Sequence, residues 1–186
     1  MKQALSRILP FTRVLVVAGA AWAGQAAMAQ ADPYAEVGQL VRSGKLAEAG
    51  TKVDQYLASK PRDPQMRFLK SVVQTELGKP DEAVETLTQI TQEFPELPEP
   101  YNNLAVLYAG QNQYDKARAA LEMAIRLNPN YATAYENLGD VYAKLASQSY
   151  GRSLQLQANN PQATQKAATL TTMLAPQAAK PRTAGK

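Results

Sequence analysis

Three prolines recur at a fixed interval: Pro61, Pro95 and Pro129 each follow the last by 34 residues, and Ala49, Ala83 and Ala117 keep the same phase. A period of this length is that of a helix–turn–helix unit that buries its apolar face against copies of itself. Such a chain becomes a stack of helix pairs, and its function narrows to presenting a surface to a partner.

The unit from 98 to 131 is the most regular. Tyr101, Leu104, Ala105 and Tyr108 fall at i, i+3, i+4 and i+7, one stripe of a 3.6-residue period. Ala117, Leu121, Ala124 and Ile125 repeat the device on a second helix, which Asn128, Pro129 and Asn130 end. A small residue such as Ala117, just after the turn, lets two backbones approach closely. Asn112 stands where the turn needs a left-handed residue, a conformation asparagine tolerates better than most.

These positions resemble the tetratricopeptide repeat family: Tyr101, Leu104, Ala105, Tyr108, Tyr114, Ala117, Leu121, Ala124 and Pro129 match its pattern in type and spacing, and Asn112 replaces the usual turn glycine. The resemblance implies an all-α fold, a right-handed α-solenoid of about three and a half helix–turn–helix repeats closed by a C-terminal capping helix. The solenoid is expected over 32–174, with units at about 30–63, 64–97 and 98–131, a degenerate unit at 132–159 and a cap at 160–174. Asp32–Pro33 and Asp63–Pro64 each read as a helix cap followed by proline at the first helical position.

Two units depart from the pattern. In the second, Arg67 and Lys70 occupy offsets that are large and apolar in the family, while Met66, Leu69, Val72 and Val73 carry the apolar character, so this helix is expected to be rotated or re-registered. The fourth opens with Tyr135, Leu138, Gly139 and Tyr142 in register but has no glycine or proline from Asp140 to Tyr150. Loss of the turn should fuse two helices into one, from about 132 to 157. Pro161 then comes two residues ahead of the 34-residue register and opens a last helix with Ala163, Ala167, Leu170 and Leu174 on one face.

The ends carry different signals. Lys2, Arg7 and Arg13 precede an apolar run from Val14 to Ala23, followed by small residues and two overlapping A-x-A sites. The run is shorter than the roughly 20 residues that span a bilayer, so 1–31 is expected to be a secretory signal cleaved after Ala31 or Ala29, with an uncleaved anchor as the competing reading. With no cysteine there is no lipid-attachment site or disulfide, and a periplasmic location follows, with secretion as the alternative. The tail 175–186, with two prolines and three cations, is expected to be disordered.

Charge and chemistry exclude other classes. Removing 1–31 leaves 17 cations against 16 anions, and removing the tail leaves 14 against 16, a body too close to neutral to favour nucleic acid. No histidine, cysteine or nucleotide-binding loop is present, so neither a cofactor, a metal nor an enzymatic activity is expected. Tyr101, Tyr108, Tyr135 and Tyr142 are expected to pack in the core, and the Glu82, Glu85 pair to be solvated.

The resemblance also places a concave groove on the first helices. Carried onto the third and fourth units, its groove positions are Glu99, Asn102, Asn103, Val106 and Gly110, then Thr133, Glu136, Asn137, Asp140 and Lys144. Asn103 and Asn137, 34 apart, would form a ladder whose carboxamides can pair with both backbone groups of an extended peptide. The competing reading is a bond to a neighbouring helix. Relatives that grip acidic C-terminal tails use basic groove residues, whereas Tyr34, Gly38 and Glu99 occupy those positions here, and Glu99, Glu136 and Asp140 favour a neutral or basic ligand. The expected function is a scaffold for a peptide or partner protein in cell-envelope assembly, the alternative being self-association without a peptide ligand.

Overall fold

The computed structural model describes residues 32–174; residues 1–31, expected to be a secretory signal, and 175–186, expected to be a disordered tail, lie outside the described residues. The described residues fold into eight α-helices: α1 (Pro33–Arg42), α2 (Leu46–Ser59), α3 (Pro64–Glu76), α4 (Pro80–Glu93), α5 (Pro98–Gly110), α6 (Tyr114–Leu127), α7 (Ala132–Leu156) and α8 (Pro161–Met173). Each packs on the next, and α1 also meets α3 as α5 meets α7, which makes the molecule an all-α repeat solenoid.

Local chemistry explains the helix ends. Proline stands in the first turn of α1, α3, α4, α5 and α8, where its missing N–H costs nothing. Asp32, Asp63 and Asn160 cap three of these, accepting from the backbone N–H of Tyr34 at 3.0 Å, Met66 at 2.8 Å and Ala163 at 3.0 Å. Within each pair the turn is made by a left-handed residue at the same phase: Gly44 at φ 73°, Gly78 at φ 72° and Asn112 at φ 60°. A side chain at Gly44 or Gly78 would meet nothing within 4 Å, so the backbone angle alone calls for glycine. Gly78→Ala should therefore destabilise the fold by about 1–2 kcal/mol, read by denaturant unfolding. A loss below about 0.3 kcal/mol would mean that the turn relaxes out of this conformation.

Three clusters share the burial. Val37, Ala49, Val53, Met66 and Val73 join α1, α2 and α3; Ala83, Leu87, Ile90, Leu104 and Leu107 join α4 to α5; Ala105, Ala117, Leu121, Ala124, Ala134 and Val141 join α5, α6 and α7. Ala49, Ala83 and Ala117 are each 0% exposed, as expected for residues at the point of closest helix approach.

The first helix of the second unit corrects one expectation. Helix α3 is not re-registered: Arg67, Ser71 and Gln74 are buried at the offsets of Tyr101, Ala105 and Tyr108, while Val72 is only half-buried. Arg67 is tolerated there because its guanidinium reaches Glu93 on α4 at 2.8 Å and Gln89 at 3.2 Å. The hydrogen bond and charge of Arg67 outweigh desolvation and hold the Glu93 carboxyl below its ordinary range. Gln74 accepts from the Thr86 hydroxyl at 2.9 Å. Polar pairing thus stands beside the apolar packing of Phe68 across the α3–α4 seam.

Helix α7 runs unbroken for 25 residues, passing through Ala146, the residue in phase with Gly44, Gly78 and Asn112. Its first half packs on α6, and α8 folds back on its second half. Tyr135 and Tyr142, expected in the core, are 50% and 49% exposed. The second helix that would have covered them is absent, because the segment that could form it continues α7.

Candidate functional site

The groove lies between α5 and α7, and its centre is polar by construction. The side-chain amide of Asn137 on α7 donates to Oδ1 of Asn102 on α5 at 2.9 Å, and Asn102 Nδ2 donates onward to Asn103 Oδ1 at 3.4 Å. Asn102 is buried, with both its donor and its carbonyl engaged, so it ties the two helices together and is withdrawn from the groove. The ladder is thus not a pair of Asn103 and Asn137 rungs but a chain of three carboxamides. Its two ends carry the capacity left over: the Asn103 amide as donor and the Asn137 carbonyl as acceptor, neither bonded to another described residue. Among the described residues no buried side-chain nitrogen or oxygen lacks a partner, so both ends stay open to solvent.

Beside this chain lies a cleft of about 180 Å³. It is walled by Ala105, Val106 and Ala109 of α5 and by Asn137, Asp140, Val141 and Lys144 of α7, with Tyr114 and Leu121 of α6 behind them. Val106 is half-exposed there, an apolar side chain on a first helix with no packing partner to cover it. Asp140 and Lys144 set one negative and one positive charge on the α7 wall, four residues apart on the same face. The helix order explains the proximity, because α7 is the first helix of the next repeat and must lie beside α5.

Four sequence-derived positions, Val106, Asn137, Asp140 and Lys144, therefore meet in one cleft, and Asn103 adjoins them through Asn102. Glu99 and Glu136 do not line it. Glu99 is exposed in the first turn of α5, where burial first and the Glu99 charge second push the Tyr131 phenol up. Glu136 is exposed on α7. Tyr114 was not among the expected site residues, although its place at the head of a second helix, two residues after the left-handed Asn112, was visible in the repeat. Its hydroxyl donates to Asn112 Oδ1 at 2.8 Å, which fixes the ring against the cleft. Tyr114 and Lys144 also border a second cleft of about 590 Å³ with Ser147, Gln148, Thr171 and Leu174, which extends the groove toward α8.

Two models of the tetratricopeptide repeat match this chain, over residues 34–98 and 74–145, and together they span more than half of it. The chain belongs to the tetratricopeptide repeat family. The matched region of this repeat protein stops within α7, before the second half of that helix and α8. Over 49 residues it is 47% identical to the tetratricopeptide repeat domain-containing protein PYG7, chloroplastic, of Arabidopsis thaliana; the match covers 26% of this chain and 16% of that protein. A thermophilic repeat protein of Thermus thermophilus shares the fold at a TM-score of 0.58, with 24% identity over 77% of this chain and 81% of that one. The first repeat domain of Spaghetti (RPAP3), solved bound to an HSP90 peptide, SRMEEVD, is similar at a TM-score of 0.57, with 17% identity over 61% of this chain and 90% of that one.

Among the described residues no group of three or more acidic, histidine or cysteine side chains could hold a metal, and no helix is long and apolar enough to cross a membrane. Glu82 and Glu85 are exposed, Glu82 pairing with Lys79 at 2.9 Å.

Proposed function

We propose that the protein is an exported adaptor that holds an extended segment of a partner protein in the α5–α7 groove, as part of cell-envelope assembly. One observation carries the reading: the Asn103 donor and the Asn137 acceptor stand at the two ends of a carboxamide chain fixed by buried Asn102, beside a cleft with Val106 exposed. A peptide backbone offers one acceptor and one donor per residue, and a fixed pair of complementary groups binds it without reading its side chains. Val106 supplies an apolar contact, and Asp140 favours a neutral or basic segment over an acidic one. The HSP90 peptide held by the RPAP3 domain ends in an acidic stretch, whereas the cleft here sets one carboxylate, Asp140, beside one ammonium, Lys144.

Export rests on the basic and apolar pattern of 1–31. Cleavage after Ala31 would leave Asp32 first, the residue whose carboxylate caps α1. Amino-terminal sequencing of the protein from the periplasmic fraction should read from Asp32 or Gln30. A chain still beginning at Met1 in the cytoplasm would refute export.

The binding test starts with a photo-crosslinking side chain at position 106 in cells, with position 119 on the exposed face of α6 as control. A partner captured from 106 and not from 119 supports the groove. With that partner, Asn103→Ala should raise Kd by about two- to twelvefold, the worth of one hydrogen bond of about 0.5–1.5 kcal/mol, with a modest loss of stability because the buried Asn102 amide loses its acceptor. Equal capture from both positions, or an unchanged Kd, would overturn the reading.

A further inference from the structure

The exposed face of α7 has an internal template. In the third repeat, Tyr101, Ala105 and Tyr108 of α5 pack with α6, whose Ala117 is 0% exposed and whose Leu121 and Ala124 complete the contact, while Leu104 packs toward α4. Lys116, one residue before that alanine, lays its ammonium 5.5 Å from the centre of the Tyr108 ring. The residues of α7 in the same phase are Tyr135, Leu138, Gly139 and Tyr142. Leu138 is used by the core cluster of α5 and α6, but Tyr135 and Tyr142 stand half in solvent and a side chain at Gly139 would meet nothing within 4 Å.

Helix α8 occupies only the second half of this surface, and it does so with the same chemistry. Lys166 lies 5.5 Å from the centre of the Tyr150 ring, and Ala167 follows it as Ala117 follows Lys116. Both helices therefore set a lysine over a tyrosine ring of the preceding helix with an alanine next to it, although the alanine that α8 buries is Ala163. The first half of α7 offers a third such face, two tyrosines with a glycine between them, and no described helix fills it.

We propose that this face binds an amphipathic α-helix of a partner protein, one that carries Lys-Ala followed by leucine four residues and alanine seven residues after the first alanine. The glycine lets the partner's backbone approach closely, as Ala105 does for α6. The two tyrosines flank the contact with large apolar area at little entropic cost, and Tyr142 receives the lysine. This surface is distinct from the groove, because Asn137, Asp140 and Lys144 project from the other side of α7.

The probe is a peptide of residues 113–128, the chain's own α6, held helical by a crosslink between positions 115 and 119, both exposed in the fold. Fluorescence anisotropy should show saturable binding to the protein. Gly139→Leu should weaken it by about tenfold or more, since a branched side chain at the contact point separates the helices. That variant should keep the parent's circular dichroism and melting temperature, because the position is open and leucine is the better helix former. A peptide with leucine in place of Ala117 should lose affinity by a similar factor, and Asn103→Ala should leave it unchanged. Absence of saturable binding to the parent protein, or equal affinity for Gly139→Leu, would overturn the proposal. So would a dimer that Gly139→Leu dissolves, which would give the face to a second copy.

Discussion

Leu121→Ala is expected to lower the free energy of unfolding by about 2–5 kcal/mol. Leu121 is 0% exposed and sits in the cluster that joins α5, α6 and α7, where the small residues Ala105, Ala117, Ala124 and Ala134 leave it as the largest fully buried side chain. Alanine there leaves a cavity that the flanking helices cannot close without losing their own contacts. Because the solenoid is held by nearest-neighbour interfaces, the damage should centre on the third repeat and α7. Leu121 also forms the back wall of the groove cleft, so the same substitution should enlarge it and weaken partner binding. Urea denaturation gives the first effect and hydrogen exchange its location. A loss below about 1 kcal/mol would show that this side chain does not hold the cluster together.

The second large effect is expected at Asp63. Its Oδ1 accepts from the Met66 N–H at 2.8 Å, capping α3, while Oδ2 accepts from the hydroxyls of Tyr34 at 2.7 Å and Tyr56 at 3.2 Å. One carboxylate thus fastens α1, α2 and α3 together, and the two hydroxyls lie 2.7 Å apart. The Tyr34 phenol is pushed well above its ordinary value, first by its bond with Tyr56 and then by Asp63. Asp63→Ala removes the cap and the acceptor of both phenols, and should cost about 2–3 kcal/mol after allowance for solvent exposure.

The pH dependence at Asp63 has a definite sign. Burial alone would raise this carboxyl, but the Met66 N–H and the Tyr34 and Tyr56 hydroxyls outweigh it and hold the carboxyl below its ordinary value. A carboxyl lowered by folding contributes stability in full above the unfolded value of about 3.9, and loses it as pH falls through the lower folded value. Asp63→Asn keeps a capping oxygen but cannot titrate. Its unfolding free energy should therefore fall less steeply below about pH 4 than that of the parent. Parallel acid profiles would show that Asp63 does not link folding to protons.

Much of the architecture was readable because repeat positions are over-determined. Gly44, Gly78 and Asn112 share one phase and one left-handed turn, so the departure at Asn112 could be interpreted through its neighbours. The second unit departs from its expected register because apolarity is not the only route to burial. Arg67 is buried because Glu93 and Gln89, 26 and 22 residues away, complete it. The groove was legible in part for a related reason. Family offsets point to first-helix residues, and Val106, Asn137, Asp140 and Lys144 do meet, but only packing shows that Asn102 is consumed between helices and that Tyr114 reaches the cleft from a second helix.

The 34-residue ladder of prolines and alanines determined by itself the helical class, the left-handed turns and the place where the pattern stops, because these depend on backbone angles and on contacts a few residues apart. Tertiary structure alone decided what becomes of each face once the pattern stops. The tyrosines of α7 have the same sequence surroundings as those of α5, yet one pair is packed and the other half-exposed. The difference is whether a second helix is present to lie across them, and burial belongs to that pairing, not to the residues.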